Sequence, residues 1–573
     1  MALPSTKVYV SRDGPPWTEV TSHTRRVDGL STQAGRSRTL GEWEAGTATV
    51  TFLNHTRALD PLNDNATFQL RAGDHVLIQT DTVTVFWGWV DTVDVEYMAG
   101  SNDGPFSTIT IQASDALARL NRSKVSSIAS NNSELSSDLV DDVLTQVAVL
   151  SSWTVSTPGL RYISNARYGS DISVLTLLQE ITRTEGGNSR LFPIAQGAVW
   201  RPRNWVPGTV VDFGAASIPF HSIRVDLSDD DWSNWVTVTP EAHTDIFVST
   251  SSVAVGTGSK TFTVAANLGV SANATVSIVS AGDPGDTMTG TVTSYSGTDL
   301  VCNITSSTGT GTNSDWTITT TEAATPQVAF DQQSITDHDT LYRAASYSTA
   351  HSTRPLALAE AQILAASLSY PSRRIASFTV AMHGLSTANQ DTVLGLEIGD
   401  AVKVTVDTGA GDPQTLRQWR FVDGISHSIP GDGSHFVTLT LGMVPTMDIT
   451  SVALKQNNAT VAATTNRAVY TIIQDGWATV HIMLTATAAG ANNTEVKMTP
   501  TGLPAPATNA GACTGTSYYI DADVGWNVGG VDWDGTNIRF PLDNTAFLYV
   551  GQAPAFAIAS GDILRCSFTY QVA

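Results

Sequence analysis

The sequence predicts a mainly β protein with an α+β subdomain, and three observations carry that prediction. Charged residues make up only 15% of the 573 residues, while glycine, serine and threonine are abundant; this composition suits β-rich particle or surface proteins better than helical enzymes. Apolar residues alternate with polar ones at period two over most of the chain, the pattern of strands with one buried face. Only the region 126–235 carries two clear helical stripes. At roughly 150 residues per domain the length allows about four domains, ample for buried cores.

Residues 1–125 read as all-β. In "EWEAGTATVTFLNHTRALDP" (42–61), Ala48, Val50 and Phe52 share one face of a strand and Thr47, Thr49 and Thr51 the other, with Trp43 leading in. "LRAGDHVLIQT" (70–80) sets a turn at Gly73-Asp74 before a strand. "VTVFWGWVDTVDVEY" (83–97) is a long strand with a bulge expected at Gly88, and "FSTITIQASD" (106–115) closes the set. In 126–235, "SSDLVDDVLTQVAVL" (136–150) spaces Leu139, Val140, Val143, Leu144 and Val147 along one helical face, with Ser137 as N-cap. "DISVLTLLQEITRTEGG" (171–187) is a second helix, from an N-cap at Asp171 to a stop at Gly186. "SRLFPIAQGAVWRPRN" reads as a hairpin.

Residues 243–325 are Gly/Ser/Thr-rich with very few charges, a small β module set into the surrounding domain. In 326–450 the helix "PLALAEAQILAASLSYP" stops at Pro371, and four strands follow. Gly399-Asp400 in "LEIGDAVKV" (396–404) echoes Gly73-Asp74 in "LRAGDHVLI" (70–78), as if two related β-barrels were present. Residues 451–573 are all-β and suggest a jelly-roll-like sandwich.

The formal net charge is -22, which repels phosphate and argues against sequence-specific nucleic-acid binding, though not against a channel through which DNA slides without sticking. Cys302, Cys513 and Cys566 are too far apart for a CxxC metal site; buried thiols fit, and a pair between Cys513 and Cys566 stays open. No signal peptide and no apolar run of spanning length is seen, so synthesis in a cytoplasm without a membrane span is expected.

Glu42 and Glu44 flank Trp43 at a strand spacing of about 6.5–7 Å, which would suit an inverting glycosidase pair; the alternating strand that follows favours a barrel rim. Asp229, Asp230 and Asp231 in "SDDDW", and Asp532, Asp534 and Asn537 in "DWDGTN", fall short of a calcium pattern and read as turns. "VGTGSK" (255–260) has no helix after it and reads as a hairpin turn. No HExxH, GxSxG, Walker or dinucleotide signature occurs, so catalytic, metal and cofactor sites are all expected to be none. In the C-terminal region Tyr518, Tyr519, Trp526, Trp533 and Tyr549 lie close in sequence, and aromatic faces of this kind stack on sugar rings.

The ordered series "EWEAGTATVTFLNHTRALDP", "LRAGDHVLI", "WGWVDTVDV", "ASDALARL", then "ALAEAQILAASLSYPSRRIASFTV", "LEIGDAVKVTV" and "VDGISHSI", resembles phage tail hub (baseplate hub, minor tail) proteins of long-tailed phages of Gram-positive, especially actinobacterial, hosts. The resemblance covers roughly 5–240 and 326–446, and its order is more specific than any single motif. It implies a homotrimer in which each chain supplies two tube-like β-barrels, so that three chains match a hexameric tail tube. The barrel positions it marks are Trp43, Val50, Phe52, Gly73, Asp74, Gly399 and Asp400. Implied partners are distal tail and tail tube proteins, a tape-measure protein, other tail-tip or fibre proteins, and transiting DNA bound without sequence specificity. The implied place is the distal end of the virion tail. The domains expected are a first barrel (1–125), an α+β hub subdomain (126–235), the inserted module (243–325), a second barrel with a helix (326–450) and the C-terminal sandwich (451–573). The insert and sandwich depart from a bare hub and are expected outside the ring, in reach of host-envelope glycan. The alternative reading is a tail-associated glycan-binding adhesin or glycan hydrolase.

Overall fold

The computed structural model describes residues 4–23, 29–36, 41–98, 106–125, 134–147, 150–156, 159, 162–163, 172–186, 189–203, 205, 210–226, 232–265, 268, 270–338, 340–369, 374–407, 415–442, 446–449, 451–456, 459–473, 477–489, 495–501, 503, 514–521, 525–533, 536–543, 548–549 and 558–571. The chain is mainly β. It divides into two compact units. The first is Met1–Trp205, Phe220–Gly399 and Val422–Leu441; the second is Val206–Pro219, Asp400–Phe421 and Gly442–Ala573.

The first unit opens with β1 (Thr6–Ser11), β2 (Leu30–Gly35), β3 (Glu44–Asn54), β4 (His75–Thr80), β5 (Val83–Met98) and β6 (Phe106–Ser114). In β3 the alternation places Ala48, Val50 and Phe52 in a core with Val8, Val10, Val76, Ile78, Ile109 and Ile111. Thr51, expected outside, is buried and hydrogen-bonds Thr110 across the strand pair. The bulge expected at Gly88 lies three residues later. Val90 opposes Ala113 and Thr92 opposes Gln112, which leaves Asp91 as the extra residue. Gly88 has another reason to be glycine: a Cβ there would stand 2.2 Å from the Ser114 carbonyl oxygen.

α1 (Ala116–Arg122) is capped by Asp115, whose carboxylate accepts from Leu117 N and, at 2.6 Å, from Gly46 N in β3. α2 (Ser136–Val147) and α3 (Val174–Glu185) bury the stripes Leu139, Val140, Val143, Leu144 and Leu175, Leu177, Leu178, Ile181 in one core with the strands Arg190–Ile194 and Gly197–Arg201. Ser137 lies inside α2 rather than capping it. Ser173 caps α3; Asp171 lies outside the described residues. Gly186, at φ 73°, ends α3.

β7 (Ser222–Asp226) and β8 (Trp235–Pro240) follow, and β8 runs on into β9 (His243–Ser249). β9 begins a six-stranded antiparallel sheet in the order β9, Trp316–Glu322, Thr275–Ser280, Thr287–Ser296, Asp299–Thr308, Gly258–Thr263, with Phe262, Ile278, Met288, Leu300, Trp316 and Ile318 in its own core. The chain returns as β10 (Gln327–Phe330), antiparallel to β8, then α4 (Gln332–Asp337), and β11 (Ala344–Thr349), parallel to β8. α5 (Arg354–Leu368) lays Ala357, Ala361 and Ala365 on Val236, Val238 and Ala329. Alanine at i, i+4 spacing lets helix and sheet approach closely. α5 ends at Leu368; Pro371 lies outside the described residues.

β12 (Arg374–Ala381), β13 (Ala401–Asp407), β14 (Thr415–Ile429) and β15 (Phe436–Leu441) complete the set. Pairing in the first unit runs β7–β12–β15–β14–β2–β3–β6–β5–β4–β1 and ends on the short strand Thr18–Glu19. This path is open. Among the described residues no closed barrel forms, so the two barrels expected from sequence are replaced by two open strand sets joined where β2 pairs with residues 424–429 of β14.

In the second unit β13 pairs with Thr415–Phe421 of β14 and, in parallel, with Val210–Phe213. Residues 446–571 form a six-stranded and a five-stranded sheet. Val480, Ile482, Leu484, Leu564, Phe568 and Tyr570 of the first share one buried core with Leu454, Val496, Met498, Trp533 and Ile538 of the second. Among the described residues no helix is long and apolar enough to cross a membrane.

Candidate functional site

The feature that recurs is a turn coupled to a bulge. Gly73, at φ +94°, precedes β4 and donates its N–H to the Val90 carbonyl at 2.7 Å. Gly399, at φ +97°, precedes β13 and donates to the Val422 carbonyl at 2.7 Å. A positive φ is what glycine alone adopts without a steric cost. Each accepting valine is followed by an aspartate extruded from the ladder: Asp91 between Val90 and Thr92, and Asp423 between Val422 and Gly424. The sequence under both is Trp-x-x-Val-Asp, starting at Trp87 and Trp419. The long strands β5 and β14 pair through their first half with the strand before them and through their second half with the strand after.

Asp74 is buried beside its turn, accepting from Arg71 N at 2.7 Å and from Arg12 Nε at 3.0 Å. Burial pushes its carboxyl up, against the pull of those donors. Asp400 is half-buried. Alanine at Gly73 would meet nothing within 4 Å, so Gly73→Ala should cost only the backbone term, about 1–2 kcal/mol. At Gly399 a Cβ would stand 3.0 Å from Arg190 Cδ and 3.0 Å from Arg201 Nη1, and Gly399→Ala should cost measurably more. Thermal unfolding of the two variants side by side checks the order.

The two aspartates have diverged. Asp91 is partly exposed and pairs with Arg122 of α1 at 2.6 Å. Asp423 is buried between Arg36 at 2.8 Å and Arg190 at 3.4 Å. Arg36 also lies over the Trp43 ring, 4.6 Å from its centroid. Burial draws the Arg190 guanidinium down to about 10, with Asp423 opposing the shift. Arg201 continues the cluster, donating to the Ile398 carbonyl and to Glu397 and stacking 3.8 Å over Trp205. A second buried pair, Arg203–Glu360 at 3.0 Å, ties α5 to the end of α3, where Arg203 also donates to the Glu185 carbonyl. These charges hold β2, β14, the hairpin Arg190–Arg201 and two helices to one another. The Trp-x-x-Val-Asp repeat was the one sequence signal that could have flagged Asp423; nothing local marked Arg36 or Arg190.

Other candidates fall as follows. Trp43, Val50 and Phe52 are core residues, 3%, 0% and 0% exposed. Glu42 is ion-paired with Arg183 of α3, and the carbonyl of Trp43 accepts from Gln179, so the segment leading into β3 is held to α3. Asp229, Asp230 and Asp231 lie outside the described residues, while Trp232 is buried and donates to the Ser369 carbonyl. Asp532 pairs with Arg539, and Asn537 accepts from Thr499; Asp534 is outside the described residues. "VGTGSK" turns into the strand Gly258–Thr263, with no helix. Trp533 is 3% exposed, edge-on to Tyr570 at 4.2 Å. Its ring is covered, which corrects its expected role as a sugar platform. The backbone of Tyr518 and Tyr519 pairs with Val528 and Asn527, and Trp526 opposes Ile520. Cys302 and Cys566 are buried; Cys513 is outside the described residues. Among the described residues no three His, Cys, Asp or Glu side chains gather as a metal site.

No family model matches the chain, and no curated protein matches it. Among solved structures the chain is similar to a tail protein from Neisseria meningitidis MC58, at 10% identity and a TM-score of 0.44, over 76% of this chain and 96% of that one. It is also similar to the 43 kDa tail protein of prophage MuSo2 from Shewanella oneidensis, at 12% identity and a TM-score of 0.42, over 77% and 98%. A third is the prophage tail protein gp18 from Listeria monocytogenes EGD-e, at 9% identity and a TM-score of 0.41, over 76% and 94%.

Proposed function

We propose that this chain is a structural component of a phage tail tip: a trimeric hub that closes or continues the tail tube and passes DNA, with the module 243–325 and residues 451–573 on its outer side toward the host surface. The observation that carries the reading is the duplication. Two strand sets in one chain share a glycine turn, a valine acceptor and a bulged aspartate, on top of the ordered series of hub-like sequence motifs. Two related sets per chain and three chains give six, the number a hexameric tube presents. The acidic balance favours the same reading, since a channel that attracted phosphate would brake DNA transit. Partners are then the tail tube, the tape-measure protein and neighbouring tail-tip or fibre proteins. Host-envelope glycan is a further partner of the outer modules.

The test is electron microscopy of virions labelled with antibody against this chain. Label at the distal tail tip is the expected result. Label elsewhere on the particle, or only on non-virion material, would sink the proposal.

A further inference from the structure

Exposed apolar side chains gather in two places on the first unit. The first is the sheet β10–β8–β11. Its inner face rests on α5. Its outer face carries Trp235 and Thr237 on β8 and Val328 and Phe330 on β10, with Val328 40% and Phe330 51% exposed. Trp235 opposes Phe330, and their rings stack with centroids 5.1 Å apart. Tyr342, itself 59% exposed, meets Trp235 edge-on at 5.7 Å, and Leu341 beside it is 49% exposed. The segment is presented by a strained residue: Thr340, β-branched, sits at φ +63°, a conformation costing about 1–2 kcal/mol. Neither the strain nor the exposure serves the core.

The second place is β9. Its inward residues Asp245 and Phe247 are buried, while Ile246 and Val248 on the outward face are 57% and 69% exposed. They oppose Thr319 and Thr317, and the next row across the sheet runs Thr244, Thr321, Thr275, Thr291, Asn303, Ser259 without a charge. Among the described residues β10 is the last strand on its side of one sheet and β9 the last on its side of the other. β9 continues β8, and β10 continues the strand Trp316–Glu322, so the first patch spans both legs of the stem that carries the inserted module and the second lies farther along one of them.

We infer that the two patches are the two halves of one contact between copies of this chain, the Trp235/Phe330/Tyr342 face of one copy seating the Ile246/Val248 strand of the next. The inference rests on the trimeric reading above. A threefold ring needs a heterologous contact, in which two different surfaces meet, and this chain displays two different apolar surfaces. Copies with a net charge of -22 repel one another, which favours a contact where charge is lacking. The rows Phe330, Trp235, Ala344 and Val328, Thr237, Ser346 hold no charged residue. Aromatic side chains with depleted charge are what the centres of protein contacts are made of.

The test uses two variants of the full chain, Phe330→Lys with Tyr342→Lys, and Val248→Lys. Each replaced side chain is exposed, and each change makes the chain less acidic, so loss of association could not be blamed on added repulsion. Circular dichroism confirms folding, and light scattering with sedimentation reads mass. The wild type should associate and each variant alone should be monomeric. An equal mixture should give a heterodimer and nothing larger, because each variant brings one intact patch. Failure of the mixture to associate, with both variants monomeric, overturns the heterologous contact. Wild-type mass persisting in both variants overturns the inference and leaves the hub reading standing. A wild type monomeric at every concentration, from a chain that also fails to label the tail tip, overturns both.

Discussion

Replacing Asp423 by alanine is expected to destabilise the first unit by about 3–5 kcal/mol, the cost of leaving buried cations without their counter-charge. The carboxylate is 1% exposed and is shared by Arg36 and Arg190, which are 13% and 2% exposed. The internal duplication supplies the control. Asp91 occupies the equivalent bulge, but its partner Arg122 is 64% exposed and it is itself 24% exposed. Asp91→Ala should therefore cost less than about 1 kcal/mol. Calorimetric unfolding of the two variants checks the contrast. Equal losses would mean that the bulge, and not the buried ion cluster, carries the stability. Gly35 reports on the same junction: at φ +91° a Cβ would stand 2.2 Å from the Asp423 carbonyl oxygen.

Acid should weaken the first unit through a pair of histidines. His427 on β14 lies between Thr32 of β2 and Val437 of β15. Its Nδ1 is 3.0 Å from Nε2 of His435, so one ring donates and the other accepts, and both are neutral. Burial pushes His427 down to about 3, with the neighbouring His435 adding to the shift; burial pushes His435 down to about 4 against the opposing charge of Asp81. An unfolded histidine titrates near 6.5. As pH falls below that value the unfolded chain takes up protons that the folded chain refuses. The contribution is thus complete above about pH 6.5 and is lost as pH falls toward the folded values. Each site gives a slope of about 1.4 kcal/mol per pH unit in that window.

Two buried carboxyls, Asp74 and Asp115, work in the other direction. Burial raises the Asp115 carboxyl from 3.8 to about 7, so the folded chain holds a proton there that the unfolded chain releases, and stability rises as pH falls through that range. Burial lowers His75 as well, so three depressed histidines stand against two raised carboxyls and acid leaves a net loss. His435→Gln, with an amide end where Nε2 stands, removes one titration and keeps a hydrogen-bonding group. Its melting temperature should fall less steeply than the wild type's between pH 6.5 and 4. An unchanged slope would refute the assignment.

Strand β3, helices α2 and α3 and the glycine turns at Gly73 and Gly399 were legible in the sequence, because each follows from a local rule. Period two, period 3.6 and a positive φ are decided within a few residues. The same locality explains the misses. A glycine inside a strand has two causes, a bulge or a close approach, and only the position of the Ser114 carbonyl showed that Gly88 has the second. Glu42 and Glu44 carried the spacing of a catalytic pair, yet Arg183 of α3 takes up Glu42 and the core takes up Trp43 between them. Trp533 carried the look of a sugar platform, and the packing of two sheets covered its ring.

The sequence by itself determined that this chain is mainly β, that a small module with few charges is set within it, and that a Gly-Asp turn occurs twice. The tertiary structure alone decided what the repeats became. Val90-Asp91 and Val422-Asp423 are the same dipeptide in the same kind of bulge, but one aspartate stays near solvent and the other is enclosed by Arg36 and Arg190, 387 and 233 residues away in the chain. Local geometry is written in neighbouring residues. Burial, and with it the energy of a charge, depends on which distant segments come to cover it.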